Sequence, residues 1–323
     1  MTRIDLHAHL SPPSYVDELE RRALRPEYLT SWTADIAQQM MDRWEIDAMV
    51  VSPSPPGVWF RDQGLADELA RLLNEETARV VRDAPERFAG CAILPLPSLE
   101  SAMEELSYAL DVLKLDGVEL FTNTNGTYLG DPELDPLFDA LDQRGAYVFV
   151  HPNSPPYGPP LGYHEYLIEY PMETTRAMVN LLYSGTLERC RRLRLQFAHL
   201  GGMTPFVALR IASLTERMPQ FGEATPDGPL SYLRRQYYDT GLSNNVIALA
   251  ATLRVTNLDH IVFGTDWPYL TLPADGADPA PGLSDALQPA ERARVEAANG
   301  LALVPRLGVS GVSGIEASAQ RLG

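Results

Sequence analysis

The chain is predicted to fold as an α/β protein, a (β/α)8 TIM-like barrel with lid insertions on the C-terminal face of its strands. Three observations lead there. Strand-like and helix-like runs alternate eight times. Several of the strand-like runs are short and apolar throughout, as strands buried on both faces are. The histidines and the aspartate suited to bind a cation end four of these runs, the position where barrels carry their sites.

In order, the strand-like runs are RIDLHAH, IDAMVVSP, FAGCAILPL, DGVELFT, AYVFVHP, LRLQFAHL, QYYDTGLS and HIVFGTDWP. Helix-period segments separate them: TADIAQQMMDRWE before the second, LADELARLLNEETARVVRDAPE before the third, SLESAMEELSYALDVLK before the fourth and DPLFDALDQRG before the fifth. A parallel crossover needs a connection long enough for a helix, and eight such units close naturally into a barrel. An open doubly wound sheet would call for a dinucleotide turn or a phosphate loop, and neither GxGxxG nor GxxxxGK[ST] occurs. Three longer connections, Pro12–Thr30, Asn153–Tyr170 and Leu270–Leu287, leave C-terminal strand ends and are rich in Pro, Gly and Tyr, so they read as ordered lids. Residues 1–308 form one metal-dependent barrel domain. Residues 309–323, without a period of either kind, read as a frayed tail or an intersubunit arm.

Composition agrees with a single large domain, since 323 residues at 45% apolar content can bury a substantial core. A net charge of −17 disfavours a nucleic-acid partner, because phosphate neutralisation requires a basic face. The nearest basic stretch, ERCRRLRLQ, reads as a solvated helix end. Cys91 and Cys190 lack metal spacing and imply no disulfide framework, which suggests a reducing compartment. No run of about 18 apolar residues suggests a membrane span, and the expectation is a soluble, cytoplasmic protein.

The chemistry lies with six histidines. His7 and His9 are two apart on a strand, so both rings point the same way. His151 and His199 end two further apolar runs, and Asp266 closes the eighth. Unrelated structural histidines have no reason to collect at the C-terminal ends of different strands. Imidazole and carboxylate suit zinc, or another divalent ion such as manganese. With His7, His9, His151 and Asp266 as donors, a position stays open for water. His199 is then free to act as general base, with Asp266 sharing the proton; a fourth imidazole ligand is the lesser alternative.

The HxH of His7 and His9, the HP of His151, the His-x-Gly-Gly of His199 and GTDWP at Asp266 resemble the metal-dependent amidohydrolase superfamily over nearly the whole chain. Within it they are similar to the amidohydrolase-2 branch, which includes the aminocarboxymuconate semialdehyde decarboxylases. That resemblance implies a (β/α)8 barrel, the four metal donors named above and a water-activating His199. RPEYLTSW, from Arg25 to Trp32, resembles a segment whose arginine holds the substrate carboxylate. Arg210 falls where the branch has an arginine contributed by a neighbouring subunit, implying a homodimer. Arg61 is a weaker candidate for the same task. NGTYLGDPELDPLF, VFVHPNSPP and EYPMETTRAMVNLLYSGTLERC look closer to the group associated with 6-methylsalicylate decarboxylase. His164, and Leu200 where Gly is more usual, depart from the pattern and are expected near the pocket mouth.

The activity so implied is loss of CO2 from a small aromatic or conjugated carboxylic acid, with a proton delivered from metal-bound water assisted by His199 and Asp266. Trp32, Tyr166, Trp267 and Tyr269 could wall the ring. The alternative is a hydrolase of a lactone, amide or ester, which would use the same donors. A non-catalytic barrel is disfavoured because His199 and Asp266 are both present.

Overall fold

The computed structural model describes residues 3–308, apart from 31, 158–161, 271 and 274–276. The tail expected at 309–323 therefore lies outside the described residues. All eight expected strands form. They are β1 (Ile4–Leu10), β2 (Ala48–Pro53), β3 (Phe88–Ile93) and β4 (Gly117–Phe121); then, past a small hairpin of β5 (Asn123–Thr124) and β6 (Thr127–Tyr128), β7 (Tyr147–His151), β8 (Arg194–Phe197), β9 (Tyr237–Asp239) and β10 (Ile261–Val262). Their order is β1-β2-β3-β4-β7-β8-β9-β10, and every neighbouring pair is parallel. The ring is almost closed by backbone bonds between its ends: Leu6 N–H donates to Phe263 O (2.9 Å), Asp266 N–H to His7 O (2.7 Å) and His9 N–H to Trp267 O (2.8 Å).

Local signals explain where the helices start and stop. Thr33 accepts from Ile36 N–H, Asp62 from Leu65 N–H and Ser98 from Ser101 N–H, capping the helices Ala34–Arg43, Gln63–Asp83 and Leu99–Ser107. Gly145, left-handed at φ 57°, ends Asp135–Arg144. The segment expected as one helix up to Lys114 is less uniform: Leu99–Ser107 passes into a π turn at Tyr108–Val112. The connection after β1 is ordered by a helix, Pro13–Arg21, which buries Tyr15, Val16 and Leu19 beside the helix Gln63–Asp83.

Strand alternation decides which side chains reach the barrel interior. On β2, Ala48 and Val50 join the cluster containing Cys91 and Phe149, while Met49 and Val51 pack outward against the helices. On β7, Tyr147 and Phe149 face inward and Val148 and Val150 outward. Ser52 and His151 continue the inward rows at the C-terminal end. Three arginines of the basic stretch are held by surface acids, Arg189 by Asp135 and Asp139, Arg191 by Glu188 and Asp227, and Arg192 by Asp142, while Arg194 donates to the Gly145 and Leu303 carbonyls.

Candidate metal centre

Five side chains converge at the C-terminal mouth of the barrel. His7 and His9 come from β1, His151 from the end of β7, His199 from the turn after β8 and Asp266 from the turn after β10. None is more than 6% exposed. Beneath them, the Phe149 ring meets His7 edge-on, with centroids 4.8 Å apart.

His7 is fixed from three sides. Its Nδ1 lies 2.8 Å from Asp239 Oδ1, so the proton sits there and Nε2 is left to face the centre. Its backbone N–H donates to Asp5 Oδ1 (3.0 Å). Asp5 also accepts from Thr265 N–H (3.1 Å) and Oγ1–H (2.5 Å), and burial pushes its carboxyl up to about 7 against those donors. A Cβ added at Gly241 would stand 2.6 Å from His7 Nδ1, and one at Gly264 2.6 Å from His7 Cβ. Only glycine fits at either place.

The nitrogens and oxygens that face the centre crowd together. His7 Nε2 is 3.3 Å from both His9 Nε2 and Asp266 Oδ1, and His9 Nε2 is 3.2 Å from the same oxygen. His199 Nε2 lies 3.2 Å from Asp266 Oδ2. One donor atom from each of His7, His151, His199 and Asp266 falls within 4.8 Å of all the others. His151 Nδ1 and His199 Nδ1 are buried with no hydrogen-bond partner among the described residues.

Electrostatics follow from that crowding. Burial pulls the His7 imidazolium down, yet Asp239 and Asp266 together hold its pKa well above the ordinary value. His151, buried and surrounded by the other rings, is pushed well below it. Burial also lowers His9, with Asp266 opposing. Asp266, though buried, is held well below the usual carboxylate range by His7, His199 and His9. Lone pairs facing one another at such distances, beside a persistent carboxylate charge, fit a divalent cation. The geometry does not set His199 apart: its Nε2 is as close to Asp266 as those of His7 and His9 are.

Three non-glycine residues here adopt left-handed backbone: His199 (φ 58°), Leu200 (φ 53°) and Asp266 (φ 61°). Each costs roughly 1–2 kcal/mol, and such outliers gather where function dictates the chain path. The turn at His199 folds its ring back over the strand end while its N–H donates to Asp239 Oδ1 (3.1 Å). It also explains why Gly is more usual at position 200. Leu200 is not at the pocket mouth, as expected from sequence, but buried in the core, because the same turn points its side chain inward.

The expected substrate-binding residues fare differently from one another. Arg25 spends its guanidinium on Glu20 (2.8 Å) and on the Leu29 carbonyl (3.2 and 3.1 Å), a lid-bracing role in place of a free carboxylate fork. Trp32 is 2% exposed and packs on Phe88 in the core between barrel and helices, so it does not wall the pocket. Tyr166 is exposed and stacks on the equally exposed His164. Trp267 is half-buried against the core, with its carbonyl accepting from His9 N–H. Tyr269 does reach the centre: its ring is 5.6 Å from His9, and its hydroxyl donates to Ser54 Oγ (2.7 Å). Arg61 is exposed at φ 64°. Arg210 is exposed on the helix Thr204–Ala212, between the exposed Phe206 and Leu209 side and solvent.

Sequence reading passed over five residues at the site. Asp239 orients His7 and also accepts from Gln196 Nε2 (2.8 Å) and Gly241 N–H (3.0 Å). Its signal was available, an acid ending the seventh strand-like run just as Asp266 ends the eighth. Ser52 Oγ sits 3.4 Å from His9 Nδ1 and donates to Glu119 Oε1 (3.3 Å). Phe121 and Tyr170 rings each lie 6.2 Å from that of His151. A lone Ser, Glu or aromatic in a strand carries no such mark.

A family profile described as Amidohydrolase matches residues 4–306. The chain is 31% identical over 277 residues to the 6-methylsalicylic acid decarboxylase of Penicillium expansum, covering 83% of this chain and 85% of that one. Among solved structures, the apo IDCase of Metarhizium anisopliae superposes with a TM-score of 0.82 at 25% identity, over 94% of this chain and 97% of its own. A dihydroxybenzoic acid decarboxylase from a Polaromonas species, solved with bound manganese, shares the fold with a TM-score of 0.77 at 21% identity, over 93% and 96% of the two chains.

Proposed function

Because the chain belongs to the amidohydrolase family, we propose that it is a metal-dependent carboxy-lyase that removes CO2 from a small aromatic or conjugated carboxylic acid, 2-hydroxybenzoates foremost. The observation that carries this reading is the buried cluster of His7, His151, His199 and Asp266, with His9 in contact with two of them, in a chain 31% identical to a 6-methylsalicylic acid decarboxylase. His7, His9, His151 and Asp266 would hold the ion, zinc by preference for so imidazole-rich a set, with manganese accepted. Once bound, the ion supplies a Lewis acid that polarises a substrate oxygen and makes nearby water more acidic.

The side chains do the rest. Breaking an aryl–carboxylate bond directly would leave a carbanion, so the ring carbon bearing the carboxylate is protonated first. His199 is placed to carry that proton, its Nε2 3.2 Å from Asp266 Oδ2 and its backbone anchored on Asp239. The C–C bond then breaks, its electron pair restoring the aromatic ring as CO2 leaves. Tyr269 and Tyr170 flank the imidazoles and keep bulk water from the reacting carbon.

The substrate carboxylate needs a cation. With Arg25 committed to Glu20 and Leu29, Arg210 of a second copy is the better-supported donor. Beside it stand Phe206 and Leu209, 80% and 75% exposed, and across the neighbouring helix Val246–Thr252 stands Ile247 at 81%. An apolar patch of this kind suits a homodimer contact. Two buried free thiols favour a reducing compartment such as the cytoplasm; no described helix is long and apolar enough to cross a membrane.

Incubating the zinc- or manganese-loaded protein with salicylate-type acids, and separately with lactones, tests the chemistry. The expected result is CO2 with the matching phenol. Lactone opening without CO2 would overturn it.

A further inference from the structure

Beside the metal centre, on the β3–β4 side of the barrel mouth, lies a cavity of about 330 Å³. Its wall is mainly apolar, with Leu96, Leu99, Phe121, Leu129 and Leu134, while Thr124, Thr127 and the exposed acid Glu133 supply its polar part. A narrow cleft of about 20 Å³ shares Leu96 and Phe121 with it and is lined also by Glu119 and Asn153. Phe121 lines both spaces, and its ring is 6.2 Å from that of His151. That ring rests on bare backbone: a Cβ at Gly57 would overlap it. Glu119, 1% exposed, has one oxygen accepting from Ser52 and the other, Oε2, without a partner among the described residues.

We infer that this cavity is a subsite for an apolar arm on the substrate ring, so that the preferred acid is a hydroxyaromatic carboxylate bearing an alkyl chain of several carbons, with a ring hydroxyl hydrogen-bonded to Glu119. The inference rests on the decarboxylase reading above and refines its substrate. Size is the first argument. The volume falls at the low end of ordinary ligand sites, roughly 300–1,000 Å³, and equals about eleven times the ~30 Å³ share of one water, far more than a methyl group fills. Chemistry is the second: five aliphatic or aromatic walls reward hydrocarbon, and the Glu133 carboxylate repels an arm that ends in a second acid. Continuity is the third. Phe121 borders both spaces, and Glu119, whose second oxygen has no partner among the described residues, lines the smaller cleft, so a hydroxyl on a ring seated there would satisfy it.

The test is a ligand series read two ways. Calorimetric titration of the metal-loaded protein with 3-methyl-, 3-propyl- and 3-pentylphenol, analogues of the decarboxylated product, should show binding tightening by roughly 3- to 4-fold per added methylene. The ratio of kcat/KM for 6-pentylsalicylate over 6-methylsalicylate should likewise exceed tenfold. Leu99→Trp, and independently Thr127→Trp at the half-buried hairpin edge, should collapse both gains toward unity by filling the space. Affinity that stays flat along the phenol series, or tryptophan variants that keep the full preference, would overturn the subsite even while CO2 is released. Affinity that climbs with the arm while no acid releases CO2 would keep the subsite and remove the decarboxylase reading instead.

Discussion

Asp239→Asn isolates the residue that aims His7. In the native site one oxygen of Asp239 accepts from His7 Nδ1 (2.8 Å), His199 N–H (3.1 Å) and Gly241 N–H (3.0 Å), and the other accepts from Gln196 Nε2 (2.8 Å). Asparagine keeps one acceptor oxygen. If it stays toward His7, the new amide N–H₂ meets the Gln196 N–H₂, donor against donor; if it turns, His7 loses its acceptor. Either way one buried charge-assisted hydrogen bond is forfeited, about 1.5–3 kcal/mol, and carboxylates that orient a metal-binding imidazole are worth roughly 10–100-fold in metal affinity. Competition against a chromophoric chelator at pH 8 should therefore show zinc held about 10- to 100-fold more weakly, alongside a lower Tm for the apoprotein. Affinity unchanged within about twofold, in a variant whose Tm has fallen, would refute the orienting role and with it the assignment of His7 as a ligand.

His199→Ala should keep one metal ion by elemental analysis and lose turnover by on the order of 10²-fold or more; an apoprotein on purification would reassign it as a ligand. Arg210→Ala should raise KM for an anionic acid with metal content unchanged, and a monomer fully active at nanomolar dilution would contradict the shared site. Burial pushes the Cys190 thiol up to about 11 and Cys91 well above its ordinary value. The folded state thus prefers both thiols protonated, a preference fully present below the ordinary pKa of about 8.5 and, for Cys190, lost as pH rises through about 11. Neither cysteine should react with a chromogenic disulfide at pH 8 until denaturant is added, and rapid native labelling would contradict their burial.

How much of this could be read from sequence depended on period and position. The eight strands were legible because fully apolar runs such as AYVFV leave a parallel sheet little alternative, and the residues proposed to hold the metal because they gather at the ends of strand-like runs. The hairpin Asn123–Tyr128 and the π turn at Tyr108–Val112 were not, since two-residue strands and one-residue insertions leave no period. An aromatic misled for the same reason that it is informative: Trp32 looks like a pocket wall, but a large apolar ring is rewarded anywhere it can be buried. Arg25 shows the limit of a local match, for a guanidinium goes to whichever acceptors the fold puts nearest, here Glu20 and Leu29. Asp239 was missed because its importance lies in partners at positions 7, 196 and 199, a pairing that appears only once the ring has closed.

That closure has a consequence for how the protein is made. His7 and Asp266, whose backbones join at 2.7 Å, are separated by most of the sequence. During synthesis the two imidazoles of β1 emerge from the ribosome early and must wait for the carboxylate, so no nascent chain shorter than that can complete the cage. Folding of the ring and maturation of its cation site are in this sense a single late event, and a prematurely terminated chain would be left with its histidines ungathered.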